Sequence, residues 1–85
     1  MKNLLFNVRY DETKKRLFLN YTLYKDKPVS ILLKTSENEE IISMNDIFME
    51  RGYHSRIFDM NSLDEGNYRL IFINGNRKRI FFFEI

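Results

Sequence analysis

Apolar residues recur at every second position along most of this chain. That period of two matches the pleat of a β-strand, whose side chains alternate between faces, and not the 3.6-residue period of a helix. In "NLLFNVRY" the apolar set is Leu4, Phe6, Val8 and Tyr10, with Asn7 and Arg9 between them. Charged "DETKK" breaks the pattern, and "RLFLNYTLY" resumes it with Leu17, Leu19, Tyr21 and Leu23 on one face. "KDKP" reads as a turn and leaves Pro28 where a strand begins without losing a ladder hydrogen bond. "VSILLK" then sets Val29, Ile31 and Leu33 inward, and Ser30, Leu32 and Lys34 outward.

"SENEE" is a further turn, followed by the short strand "IISM". "NDIFMERG" has two readings: a single helical turn capped by Asn45 or Asp46 and ended by Gly52, or a plain loop. "YHSRIFDM" reads as a strand with Phe58 and Met60 inward. After the corner "NSLDEG", the strand "NYRLIFIN" alternates Tyr68, Leu70 and Phe72 against Arg69, Ile71 and Ile73. "NGN" is a hairpin turn, because Asn and Gly tolerate positive φ. A two-residue turn centred on Asn74-Gly75 or on Gly75-Asn76 puts Phe81, Phe83 and Ile85 on the face of Tyr68 and Leu70. Ile80, Phe82 and Glu84 then point outward; a three-residue loop reverses the frame.

Seven short strands with turn signals every ~8–12 residues give an all-β fold. The expected form is a seven-stranded antiparallel immunoglobulin- or fibronectin-III-like sandwich, one domain over residues 1–85. A small barrel is the alternative. The palette agrees: the chain has no Ala and is rich in Ile, Phe and Tyr, which suit a pleated surface. Without Cys there is neither a disulfide nor a thiolate metal site.

"MNSLDEGNYRL" carries the most specific local signal. Leu63, then Gly66, then Tyr68 opening an alternating strand is the arrangement of a tyrosine corner, in which a buried phenol bonds back to upstream backbone. From "PVSILLKTSENEEII" through "FDMNSLDEGNYRLIFINGNRKRIFFFEI" the chain resembles small Ig-like domains of Bacteroidetes envelope and secreted proteins. These include stand-alone modules and the C-terminal sorting domains of the type IX secretion system. The resemblance rests on Asp59, Ser62, Leu63, Gly66 and Tyr68, then a hairpin and an apolar closing strand. It implies a binding, spacer or targeting module in the periplasm, at the cell surface or secreted, rather than a catalyst. Sorting domains usually close on a Lys-bearing strand, whereas this chain closes on Phe83, Glu84 and Ile85. A C-terminal sorting domain of a larger exported protein is therefore the second reading.

No residue set for catalysis, for a cofactor or for a metal is expected. His54 is the only His, and Ser55 and Ser62 lack a second base to activate them. "DMNSLDEG" has the alternating oxygens of a calcium loop, but Leu63 falls where a ligand should sit. The carboxylate pairs Asp11–Glu12, Glu39–Glu40 and Asp64–Glu65 all fall in turns, and the sequon at Asn20 falls mid-strand. Tyr24 and Tyr53 are the only aromatics suited to stacking on a sugar in the loops. A net charge of +2 is weak for a nucleic-acid binder, and no apolar run reaches the ~20 residues of a membrane-spanning helix. "MKNLLF" imitates the start of a signal peptide, but Asn7 and Arg9 interrupt it, and it reads as a strand.

Two surfaces are expected to matter. Leu32, Ile71, Ile73, Ile80 and Phe82 share the outer face of adjacent strands, a larger apolar patch than monomers usually leave open. Another chain or domain covers it, or the N-terminal segment does, or residues 45–52 with Ile47, Phe48 and Met49. The second surface is basic: Lys25 and Lys27 gather with Arg77, Lys78 and Arg79 at one end, with Lys14, Lys15 and Arg16 at the other. The partner implied is a protein or a second copy of the chain.

Overall fold

The structure is a computed structural model and describes residues 6–85. Leu4 and the rest of the N-terminal segment lie outside the described residues. The strands are β1 (Phe6–Asp11), β2 (Arg16–Leu23), β3 (Lys27–Thr35), β4 (Glu40–Met49), β5 (Gly52–Asp59), β6 (Asn67–Asn74) and β7 (Arg77–Glu84). They form two antiparallel sheets, ordered β1-β2-β5 and β4-β3-β6-β7. The all-β class and the two antiparallel sheets of the expected sandwich are thus present. The three-stranded sheet lies in one compact unit, residues 6–27 with Glu50–Leu63, and the four-stranded sheet, but for Lys27 at the start of β3, in another, Pro28–Met49 with Asp64–Ile85. Neither unit is a continuous stretch, so the division is not a boundary between successive domains.

In the three-stranded sheet, β2 is the central strand. Its Leu17, Leu19, Tyr21 and Leu23 are all buried, each contributing on the order of 1.5–3 kcal/mol by leaving water. Phe6, Val8 and Tyr10 of β1 are half-buried. Asp11 turns the chain into β2: its Oδ1 accepts the N–H groups of Thr13 and Lys14 at 3.0 and 3.2 Å. Lys15 completes the reversal with a φ of 54°. Beyond β5, the Met60 N–H donates to the Lys15 carbonyl at 2.8 Å, tying the end of that strand to the β1–β2 turn. Met60 is buried and Phe58 half-buried, as expected, but His54 and Arg56 share the Phe58 face, paired opposite Tyr21 and Leu19.

In the four-stranded sheet, β3 and β6 are central, and their Val29, Ile31, Leu33, Tyr68, Leu70 and Phe72 are buried. The β6–β7 hairpin has two turn residues, with Asn74 paired to Arg77. Gly75 stands first with a φ of 61°, the conformation for which glycine is selected there. The hairpin sets Phe83 inward and buried and leaves Ile80, Phe82 and Glu84 exposed, the frame expected from parity.

The stretch from 45 to 52 departs from expectation. It holds no helical turn, and its loop is confined to Glu50 and Arg51: β4 runs from Glu40 to Met49, and β5 begins at Gly52. Asp46 takes a φ of 49°, and its N–H donates to the Ser30 Oγ of β3 at 3.0 Å. The short polar residues that resemble a helix cap instead serve a local twist in an edge strand, a use that Asp tolerates better than bulky residues. Ile47 and Phe48 are exposed, and the segment is part of the sheet rather than a cover laid over its outer face.

Candidate interaction surface

The outer face of the four-stranded sheet is built from three cross-strand rows. Leu32 of β3 pairs with Ile71 of β6, and Ile71 with Ile80 of β7. On one side of that apolar row, Lys34, Arg69 and Phe82 pair in turn; on the other stand Ser30, Ile73 and Lys78. Exposure rises toward the β7 edge: Ile71 is 6% exposed, Ile80 45% and Phe82 72%. The expectation that all five apolar residues lie open is therefore corrected at Ile71, which its neighbours on both sides bury. Leu32 and Ile73 are half-buried, so the open apolar surface is concentrated on Ile80 and Phe82.

Beside Phe82 a recess of about 90 Å³ is lined by Ser36, Asn67, Tyr68, Arg69 and Phe82. Small-molecule sites are usually ~300–1,000 Å³, so this recess suits a side chain rather than a ligand. The Nε of Arg69 is buried beneath it with no hydrogen-bond partner.

The β7 strand is an edge, with β6 as its one neighbour among the described residues. The Gly66 N–H donates to the Ile85 carbonyl at 3.2 Å and the Ile85 N–H to the Gly66 carbonyl at 2.9 Å. Antiparallel pairs alternate between those that exchange hydrogen bonds and those that do not. Tyr68–Phe83, Leu70–Phe81 and Phe72–Arg79 are then the bonded pairs. It follows that Lys78, Ile80, Phe82 and Glu84 direct their N–H and C=O groups away from β6, to the open edge. Their side chains all occupy the outer face. This backbone parity is the feature that sequence periodicity did not expose.

The basic residues of β7 do not share one face. Arg77, Lys78 and Arg79 are exposed, but alternation sends Lys78 to the face of Ile80 and Phe82, and Arg77 and Arg79 to the opposite face. Lys25 and Lys27 belong to the other compact unit, Lys25 exposed and Lys27 half-buried.

The corner residues are structural. The Tyr68 ring is buried and stacks on Phe83, with centroids 5.8 Å apart, and its hydroxyl donates to the Asp64 carbonyl at 2.6 Å. Burial, then the charges of Asp64, Glu39 and Glu37, raise its pKa above that of an ordinary phenol. Gly66 has a φ of 153° with open space where a Cβ would sit, so conformation and not crowding favours glycine. Leu63 is half-buried and its N–H donates to the Met60 carbonyl at 3.2 Å.

The polar residues outside this face are occupied with one another. His54 stacks on Tyr21 with centroids 5.1 Å apart, and its Nε2–H donates to the Glu50 carbonyl at 2.6 Å. The Ser55 hydroxyl donates to Asn20 Oδ1 at 2.7 Å, and the Tyr53 hydroxyl to the same atom at 3.0 Å. The Asn20 side chain is thereby held on the sheet. Asp59 accepts both the backbone and the side-chain N–H of Asn61, which holds its carboxyl below the usual range. Among the described residues, no three His, Asp or Glu side chains are grouped to hold a metal ion, and no helix is long and apolar enough to cross a membrane. No protein-family model matches the chain, and no curated protein matches it.

Proposed function

We propose that this chain is a non-enzymatic interaction or assembly module, an Ig-like β-sandwich of the fibronectin type III form, from a bacterial envelope or secreted protein. The strand orders support that form. An immunoglobulin constant-type sandwich places its fourth strand in the sheet of the first, second and fifth, whereas β4 here lies beside β3. The exported setting is supported by the resemblance of the Leu63–Gly66–Tyr68 corner and the closing hairpin.

The observation that carries the functional reading is the exposure of Ile80, at the end of the apolar row, and of Phe82 beside it on β7. Phe82 at 72% exposure on a regular strand has water on a large aromatic surface that a protein partner removes favourably. Lys78, on the same face, favours an acidic counterpart beside that surface.

A photo-crosslinking residue at position 82, compared with one at Ile57, tests the reading. Ile57 is also exposed, at 59%, but lies on the three-stranded sheet. Crosslinking of another protein chain at 82 and not at 57 is expected in the producing cells. Equal yields at both positions, or none at 82, overturn the assignment.

A further inference from the structure

We propose that β7 pairs antiparallel with β7 of a second copy, joining two four-stranded sheets into one across a two-fold axis at Phe81. This rests on the interaction reading above and names the partner of that face.

Three observations converge on a single register. The open edge of β7 offers backbone N–H and C=O groups at Lys78, Ile80, Phe82 and Glu84, so a partner strand must bond at those positions. With Phe81 on the axis, Lys78 stands opposite Glu84 of the second copy, and Ile80 opposite Phe82. Each of these is then a hydrogen-bonded pair, and each occurs twice, as an isologous contact requires. Every open backbone group of the strand finds a partner.

The side chains match in the same register. The outward sequence Lys78, Ile80, Phe82, Glu84 is complementary to its own reverse. A cation meets a carboxylate at each end, and the two exposed apolar residues meet each other between them. The row Leu32–Ile71–Ile80 then continues onto Phe82 of the second copy, covering the part of the face that each copy leaves most exposed. Shifting the register by two residues leaves one charge of each copy beyond the pairing and sets Ile80 opposite Glu84 or Lys78 opposite Phe82. Edge strands are commonly kept from pairing by prolines, bulges or like charges along the edge. β7 has no proline and no positive-φ residue, whereas β4, the other edge of this sheet, carries the positive φ of Asp46.

Charge reversal tests the register. In sedimentation equilibrium the wild-type chain is expected to form a dimer. Lys78→Glu alone sets carboxylates opposite one another at both ends, and Glu84→Lys alone sets cations opposite; each weakens dimerisation roughly tenfold or more. Mixing the two single variants restores a dimer, because each supplies the charge the other lacks, and the double variant Lys78→Glu/Glu84→Lys dimerises as the wild type does. Both positions are exposed, and unchanged melting of each variant at low concentration shows that folding is intact. A wild-type chain that stays monomeric at all concentrations, or dimerises with no response to these charges, overturns the proposal. In that event, crosslinking at position 82 to a different protein leaves the interaction reading standing, and no crosslink there removes both.

Discussion

Gly66 and Ile85 exchange both of their backbone hydrogen bonds, and that one pair sets the parity of the whole β6–β7 ladder. The N–H groups of Arg79, Phe81 and Phe83 are directed to β6, and those of Lys78, Ile80, Phe82 and Glu84 to the open edge. In a dilute sample, amide exchange along β7 should therefore alternate, slow at the first set and fast at the second. Raising the concentration should slow the second set alone. Uniform protection along the strand in dilute solution, or the opposite alternation, contradicts the ladder described.

The Tyr68 hydroxyl donates to the Asp64 carbonyl at 2.6 Å from within a buried stack on Phe83. Tyr68→Phe keeps the stack and removes the bond, so it should lower unfolding stability by about 1 kcal/mol without altering the slope of the denaturant curve. The phenol's raised pKa gives this contribution a pH limit. Because the folded state holds the proton more tightly, the contribution is complete below the ordinary value of 10.0 and declines as pH rises through the higher folded value. The alkaline decline should be smaller in Tyr68→Phe than in the wild type.

Asp59 shows the opposite sign. Asn61 stabilises its ionised form first through a backbone N–H and then through a side-chain N–H. Its contribution to stability is present above the ordinary carboxyl value of 3.8 and is lost as pH falls through the lower folded value. Titration followed by NMR should place the Asp59 midpoint below those of carboxyls without such donors. Asn61→Ala removes one donor and should move the midpoint part of the way back up. An unmoved midpoint would show that the side-chain bond is not formed in solution.

How far the sequence discloses this fold depends on how many neighbours each strand has. On the central strands β2 and β3, alternation names the buried apolar residues: Leu17, Leu19, Tyr21 and Leu23 on β2, and Val29, Ile31 and Leu33 on β3. At edges the pattern weakens, since one flank meets water and polar residues are tolerated inward. Hence β5 carries His54 and Arg56 on the face of Phe58, and β4 passes through Asn45 and Asp46, where the sequence reads equally as a capped helical turn or a loop. The apolar outer row was legible as a list of residues, but not its gradient. Ile71 is buried because Leu32 and Ile80 flank it, which depends on register and sheet order rather than on composition. Backbone parity at the open edge has no signature in side-chain pattern at all.

The positive φ of Asp46 is a point where side-chain type can be varied against backbone geometry. A β-branched residue resists that conformation, so Asp46→Val should cost ~1–2 kcal/mol. Asp46→Gly should be as stable as the wild type or slightly more so, since glycine adopts the conformation freely. Thermal melts of the two variants separate the backbone effect from any role of the carboxylate. Equal destabilisation by both would point to the carboxylate instead.

The most direct test of the account is molar mass in solution by light scattering, over a range of concentrations, for the wild type and Phe82→Lys. The account predicts that the wild type rises with concentration from 10.4 kDa toward twice that mass, and that Phe82→Lys remains at 10.4 kDa with an unchanged melting temperature. A wild type that remains at 10.4 kDa throughout, or a Phe82→Lys variant that dimerises as readily, contradicts pairing through β7.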